Sequence, residues 1–272
     1  TYNGTTPLYI NVLNSAGQVI GSALVQSDGT YTLNGIPNGN YTLQLSTNQG
    51  TIGQPAPVKA LPAGWANTAE QLNTSSTPET GDGLMSITLN NANVSGNAFG
   101  IQQLPTAPSN TLSTQTNPGG TNSLLIPASS FGGTDPSGGT ITAIVITSFP
   151  TNATSVTIDG VIFTTLAAIQ TAYPNGIPTN TAGQPNVSIS VDPSGIDAVT
   201  VTIPYKVVDN AGMESLNTAD LIIPFGSAYC YRPAVTTPSG SILATKVGIS
   251  SLGRAGADDP DNWPMVRKGG WI

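Results

Sequence analysis

Fourteen carboxylates are the side chains through which this sequence could do chemistry, because it contains no histidine and a single cysteine. Without histidine there is no imidazole to act as general base, triad member or metal ligand, and one cysteine cannot make a structural zinc site. Carboxylates alone leave two options. Glycoside hydrolysis needs two acids facing each other at roughly 5–10 Å. Asp258, Asp259 and Asp261 are neighbours and Asp192 and Asp197 flank a Pro-Ser-Gly turn. Turn formation by the Asp side chain accounts for both groupings without catalysis, so no catalytic residue is expected. Calcium is the other option. Asp135, Asp192, Asp197, Asp209 and Asp220 fall in or near loops, and oxygen-rich loops at the ends of a β-sandwich hold calcium when three or more acids and carbonyls converge. No D-x-D-x-D-G run is present. Asp135, Asp192, Asp197 and Asp209 are the metal candidates, with solvated turn acids as the alternative. No other cofactor is expected.

Three further groups carry potential interactions. Cys230 lies between Tyr229 and Tyr231 and reads as a buried small hydrophobe, an intermolecular disulfide partner, or a lipid or thioester site. Trp263 and Trp271 stand beside Pro or Gly and near Arg267 and Lys268. They form either an aromatic-basic cluster that docks another protein or a pin holding the tail to the preceding domain. Six N-x-S/T sequons start at Asn3, Asn40, Asn73, Asn93, Asn152 and Asn186; a chain so rich in Asn, Ser and Thr produces them by chance.

Composition narrows the class. Charged residues are 8% of the chain, well below the usual share, and hydrophobic residues 38%, enough for two cores in 272 residues. Such a balance, with abundant Gly, Pro, Ser, Thr and Asn, suits a secreted, β-rich surface protein. No apolar run reaches the roughly 18 residues of a membrane span, and no basic-then-apolar leader opens the chain. Because it starts at Thr1, the chain is expected to be a processed or excised piece. Residues 1–229 carry two basic residues, Lys59 and Lys206, against eleven acidic ones, whereas 230–272 carry five basic and three acidic. An acidic body excludes a phosphate-binding surface, so nucleic acid is not an expected partner. The basic residues of the tail are spread out and suit an acidic protein partner.

The elements that would position these groups are strands. In Ser27–Ser46, Tyr31 and Leu33 share one face, as do Tyr41, Leu43 and Leu45, while Thr32, Thr42 and Gln44 share the other. Asp28-Gly29 and the Asn34–Asn40 run supply reversals, predicting a β-meander. With strands at Leu8–Leu13, Gln18–Gln26, Ser86–Leu89 and Asn97–Ile101 it forms a first domain over 1–103. Residues 104–122, rich in Pro, Thr and Ser, read as a stiff linker. A second domain, 123–225, has strands at Ile141–Ile146, Ser155–Ile158, Val161–Phe163, Val187–Val191, Val199–Val207 and Leu221–Pro224. Asp159-Gly160 makes a hairpin turn there, and Leu166–Tyr173 makes one or two helical turns. Residues 226–272 form a largely irregular tail.

The meander pattern D-G-x-Y-x-L-x-x-I-x-x-G-x-Y-x-L resembles the prealbumin-like module of bacterial surface proteins, the collagen-adhesin B and Sdr B types. VTVTIPYKVVDNAGMES is similar to the end of bacterial immunoglobulin-like and cadherin-like repeats. The tail pattern Y-C-Y-x-P-A, G-I-x-x-L-x-R-A-G-A and N-W-P-M-x-R-K-G resembles a segment recurring in surface proteins of Bacteroidota such as flavobacteria. These resemblances imply two β-sandwiches in tandem and an extracellular stalk or adhesin segment exported by type IX secretion, with other surface proteins or copies of itself as partners and no membrane insertion. They also imply that a first strand before Leu8 is missing or lies upstream of Thr1, which would leave an open sheet edge unless another segment or chain supplies a strand, and hence an alternative role as a filament subunit assembled by strand complementation or tail docking. A carbohydrate-binding accessory module is a second alternative. Relatives of the first module join a lysine to an asparagine beside a buried acid, their lysine lying on an early strand. Lys59 lies in a Pro-flanked loop, and no such cross-link is expected.

Overall fold

A computed structural model describes residues 2, 5–73, 75, 78–227, 229–231 and 246–248. They fall into two units, 1–104 with 136–138, and 105–135 with 139–272. Both are built mainly from antiparallel strands, in keeping with an all-β chain.

Unit 1 comprises β1 (Tyr9–Leu13), β2 (Val19–Leu24), β3 (Gly39–Ser46), β4 (Trp65–Gln71), β5 (Glu79–Thr80), β6 (Leu84–Leu89) and β7 (Ala98–Gln103). They form one sheet in the order β2-β1-β3-β6 and another in the order β5-β4-β7. Leu8, Ile10, Val12, Leu43, Leu45 and Met85 make the buried core, with Phe99 and Ile101 of β7 packed against it. Alternation in β1 and β3 thus sends one set of side chains inward.

The opposite, polar set is buried too. Asn11, Gln44 and Ser46 are at most 5% exposed, because residues 47–60 fold back over that face. Asn11 Nδ2 donates to Gln44 Oε1 (3.1 Å) and to the Asn48 carbonyl (3.0 Å). Its Oδ1 accepts from Ser22 Oγ and the Gly50 amide, both at 2.8 Å. Gln44 and Ser46 donate to the Pro57 and Val58 carbonyls. Each of these buried side-chain polar atoms has a hydrogen-bond partner, which lets a polar strand face lie under a loop.

The meander is half right. Residues 39–46 form β3, whereas Tyr31, Thr32 and Leu33 form no strand. Tyr31, Leu33 and Ile36 instead pack on the core. At Gly21 of β2 an added Cβ would lie 2.9 Å from Ile36 Cδ1 and 3.2 Å from Leu33 Cδ2, so the segment crosses the face of β2 and cannot pair at its edge.

Unit 2 comprises β8 (Asn110–Thr111), β9 (Gln115–Thr116), β10 (Leu124–Ile126), a 3₁₀ turn (Ala128–Ser130), β11 (Ile141–Ile146), β12 (Ala153–Ile158), β13 (Val161–Phe163), α1 (Leu166–Ala172), β14 (Ile177–Pro178), β15 (Ile189–Pro193), β16 (Val199–Asp209), β17 (Ala219–Gly226), β18 (Tyr229–Tyr231) and β19 (Lys246–Gly248). One sheet runs β10-β15-β12-β13; the other runs β14-β11-β16-β17-β8, with β9 also on β17. Val201, Ile203, Tyr205, Val207, Ala219, Leu221 and Ile223 are fully buried and share one core with Val156, Ile158, Ile189 and Val191 of the other sheet. Asp159 (φ 50°) and Gly160 (φ 78°) close the β12–β13 hairpin, as a two-residue turn with both central φ positive requires. Thr165 Oγ1 accepts from the Ala168 amide and caps α1.

Residues 104–122 are not a linker. β8 and β9 pair parallel with β17, and Ala107 and Asn117 are 4% and 1% exposed. Tyr205 Oη donates to the Pro108 carbonyl at 2.6 Å, and Asn217 holds both the amide and the carbonyl of Ala107. Prolines suit this edge because it needs few amide donors. Within the tail the described residues 229–231 and 246–248 pair as β18 and β19, Cys230 lying opposite Val247; the expectation of a largely irregular tail otherwise falls outside the described residues.

Candidate functional site

The four calcium candidates do not gather at one point: Asp192 lies on β15, Asp197 in the turn after it, and Asp135 beside the turn that Asp209 starts. Asp209 is 1% exposed and its Oδ1 accepts from the Ala211 and Met213 amides, both at 2.8 Å; with Gly212 at φ 79° it builds the D-N-x-G turn after β16. Asp135 Oδ2 accepts from the Gly139 amide at 3.1 Å. An added Cβ at Gly139 would lie 2.2 Å from that oxygen and 2.1 Å from Asn210 Oδ1, so the Asp135 carboxylate and the Asn210 amide meet over this glycine. Asp197 offers its backbone carbonyl to Asn117 Nδ2 at 3.1 Å. Asp192, on β15, is 4% exposed, and burial pushes its carboxyl above the ordinary value. Asp220 takes part through its backbone, its amide donating to Ser109 Oγ. Among the described residues no three carboxylate or thiol groups converge as a metal site requires. Asp258, Asp259, Asp261, Trp263, Arg267, Lys268 and Trp271 lie outside the described residues, and Cys230 is placed only by its backbone.

Other ionisable groups serve turns. Asp28 is fully exposed, and its side-chain bond from Thr30 Oγ1, followed by the Thr30 amide, holds its carboxyl below the ordinary range. Burial pushes the phenols of Tyr31 and Tyr205 up. Burial and then Asp159 do the same at Tyr173. Lys206 pairs with Glu214 at 3.2 Å.

Sequence reasoning missed Glu70. It lies on β4, a strand whose WANTAEQ sequence shows no apolar alternation, and it is 1% exposed. Its Oε1 accepts from the Gly83 amide at 2.7 Å and its Oε2 from the Asp82 amide at 3.1 Å. The 81–83 turn is where the chain leaves β5 of one sheet for β6 of the other, and Gly83 also accepts from the Leu45 amide of β3. Gly81 presses on the β4 backbone: an added Cβ would lie 2.5 Å from the Thr68 carbonyl carbon. Lys59 Nζ donates to the Asp82 carbonyl. Around Gly83 (φ +79°) stand the Asn67 amide and the Lys59 Cδ, and Asn67 Oδ1 is buried without a partner. Lys59 therefore reaches Asn67 and the Glu70 turn from its loop. The signal available in the sequence was Gly81-Asp82-Gly83, a turn whose amides need an acceptor.

The open feature of unit 1 is a cleft of about 530 Å³ between its sheets. Leu8, Ile10 and Leu45 floor it; Tyr31, Phe99 and Ile101 line its sides. Tyr2 and Trp65 stand at it in an edge-to-face pair, ring centroids 4.9 Å apart. A second cleft, of about 870 Å³, lies along residues 29–36 and 91–97. β7 borders the first and has β4 as its one strand partner among the described residues. The lining is mixed: apolar Leu8, Ile10, Leu45, Phe99 and Ile101 alternate with Asn97, Gln102 and Ser137, and the backbone of Gln103 at the β7 edge is bonded to Ser137 Oγ.

No protein-family model matches this chain, and no curated protein matches it. No helix among the described residues is long and apolar enough to cross a membrane.

Proposed function

We propose that this chain is a non-enzymatic, extracellular surface protein, a stalk or adhesin segment whose first unit is a prealbumin-like sandwich and whose second is immunoglobulin-like. The observation that carries the reading is the use made of the acids: Glu70 and Asp209 are spent on backbone amides of turns, so buried polarity serves architecture. Two separately cored β units in succession suit mechanical presentation of a binding tip. Export by the type IX route and a Bacteroidota source follow from the tail resemblance and belong to the same proposal.

A second reading, a subunit of an extracellular filament, is favoured by one observation: β7 has a strand partner on one side only among the described residues, its other side bonded at Gln103 to Ser137 and open along Phe99 and Ile101, and an open sheet edge is a template for an added strand. A carbohydrate platform has less support, since Tyr205 and Phe163 are core residues. Electron microscopy of the natively shed protein, with intact mass on the same sample, tests the choice. Single rods or a much larger parent chain are expected for a stalk; regular fibres built from a 27.6 kDa unit would overturn it in favour of the filament.

A further inference from the structure

The sheet edges of unit 1 are not equally guarded. β2 is covered, its Val19 exchanging backbone bonds with Gln54 at 2.9 Å and Gly53 at 2.8 Å. β5 has two residues, and β7 is bonded at Gln103 to Ser137. β6 is the exception. It runs six residues, LMSITL, with no charge, no proline and no register shift against β3, and so lacks the usual protections of a sheet edge.

Register decides which groups of β6 are open. The Leu45 amide donates to the Gly83 carbonyl, so along this antiparallel ladder Leu43 with Met85, Tyr41 with Ile87 and Gly39 with Leu89 are the hydrogen-bonded pairs. Ser86 and Thr88 lie between them, and their amides and carbonyls point away from β3. These backbone groups have no partner among the described residues, and both residues are exposed. Leu84 differs, its amide being held by Asp82 Oδ1 at 2.8 Å.

What fits this edge is a copy of itself. With Ile87 on a twofold axis, an antiparallel β6–β6 pair sets Ser86 of each copy opposite Thr88 of the other. The open amides and carbonyls then answer one another without breaking a bond already made. Side-chain alternation agrees: Ser86 and Thr88 meet as hydroxyls on the solvent face, while half-buried Ile87 meets its counterpart and Met85 meets Leu89 on the core side. No like charges come opposite, because Asp82, which precedes β6, falls at opposite ends of the pair. We propose that two copies of this chain join through β6, the β2-β1-β3-β6 sheet of one continuing into that of the other. The contact is isologous and closes on itself as a dimer. It uses neither the tail nor β7, so it goes beyond the stalk and filament readings and depends on neither.

Sedimentation of the full chain under a reducing agent, which keeps a Cys230 disulfide out of the assembly, tests the contact. The wild type should pass from a 27.6 kDa monomer to a dimer as its concentration rises from micromolar to millimolar. Ser86→Pro removes an amide that the monomer does not use and that an edge strand can spare. It should weaken dimerisation by about thirtyfold or more, since two interchain bonds go with the two amides. Hydrogen exchange on the wild type locates the contact independently of any variant. The Ser86 and Thr88 amides should exchange about tenfold or more slowly in concentrated than in dilute protein, with the Val19 amide unchanged. A chain that stays monomeric at about 1 mM, a dimer that Ser86→Pro leaves intact, or concentration-dependent protection that bypasses Ser86 and Thr88 would each overturn the proposal.

Discussion

Replacing Glu70 should uncouple the two sheets of unit 1. Its two oxygens accept the amides of Gly83 at 2.7 Å and Asp82 at 3.1 Å at the point where the chain crosses from the β5 sheet to the β6 sheet. Bonds to a charged acceptor contribute about 1.5–3 kcal/mol each. Glu70→Ala removes both, and leaves two amides in a crossover too tight to turn toward water. A loss of about 3–5 kcal/mol follows, a large share of the 5–15 kcal/mol typical of a whole domain. Glu70→Gln keeps the shape and one acceptor but turns an NH₂ toward the other amide, and should cost about 1.5–3 kcal/mol.

Urea unfolding of the full chain measures this. Trp65, at the start of β4, is the tryptophan that reports on unit 1, so Trp263→Phe and Trp271→Phe in the background isolate its fluorescence. The midpoint of the Trp65 transition should fall in the order parent, Glu70→Gln, Glu70→Ala, with the slope unchanged. A Glu70→Ala variant within about 0.5 kcal/mol of the parent, the range of an ordinary surface substitution, would refute the reasoning.

The same logic yields four further expectations. Hydrogen exchange should find the amides of Leu112 and Asn117 protected with the core of unit 2, since they donate to Ile222 and Gly226 of β17; exchange at the rate of an open loop would restore the linker. Gly81→Ala, with a Cβ 2.5–2.7 Å from β4 backbone atoms, should cost about 1–3 kcal/mol in the Trp65 transition, because backbone cannot yield as a flexible side chain does. Asp192→Asn should stabilise unit 2 at neutral pH by about 0.5–1 kcal/mol. Burial raises the Asp192 carboxyl above its ordinary value of 3.8, so its contribution is fully present below that value and is lost as pH rises through the folded-state value; the benefit of Asn, measured by thermal melts, should vanish in acid. Intact mass should equal that of the sequence, because Lys59 donates to the Asp82 carbonyl and both Glu70 oxygens are held by amides. A species lighter by one ammonia would show Lys59 and Asn67 joined.

How much could be read in advance depended on whether a residue's partner was local. β16 and β17 were plain, since Val201, Ile203, Tyr205 and Val207 alternate over an unbroken stretch and all lie in one core. The Asp159-Gly160 turn and the Thr165 cap were equally legible, being fixed within a few residues. β4 was not. Its side chains face a polar turn on one side, so burial there selects Glu70 and Asn67 where a core would select Val or Ile. β8 and β9 are two residues each, too short for any period, and are strands only because β17 offers them an edge. Tyr31 and Leu33 did alternate, but alternation says which side chains are apolar and not whether the backbone pairs. The calcium candidates failed to gather for a related reason: Asp near Gly is what a turn requires, and each acid here completes its own turn or strand end.

The polar face of β1 and β3 bears on where unit 1 can meet a partner. Alternation alone would leave Asn11, Gln44 and Ser46 as a solvated sheet face, the usual outward side of an antiparallel sheet. Their bonds to Asn48, Gly50, Pro57 and Val58 roof that face with the 47–60 segment. Prying the segment off would expose buried acceptors and donors at about 1–3 kcal/mol each. A partner therefore gains little from that face. The edge of β7 is itself partly in use: the Gln103 amide donates to Ser137 Oγ, which donates back to the Gln103 carbonyl, so a strand added at that end would have to displace the 136–138 segment, whereas Phe99 and Ile101 further along β7 are only half-covered.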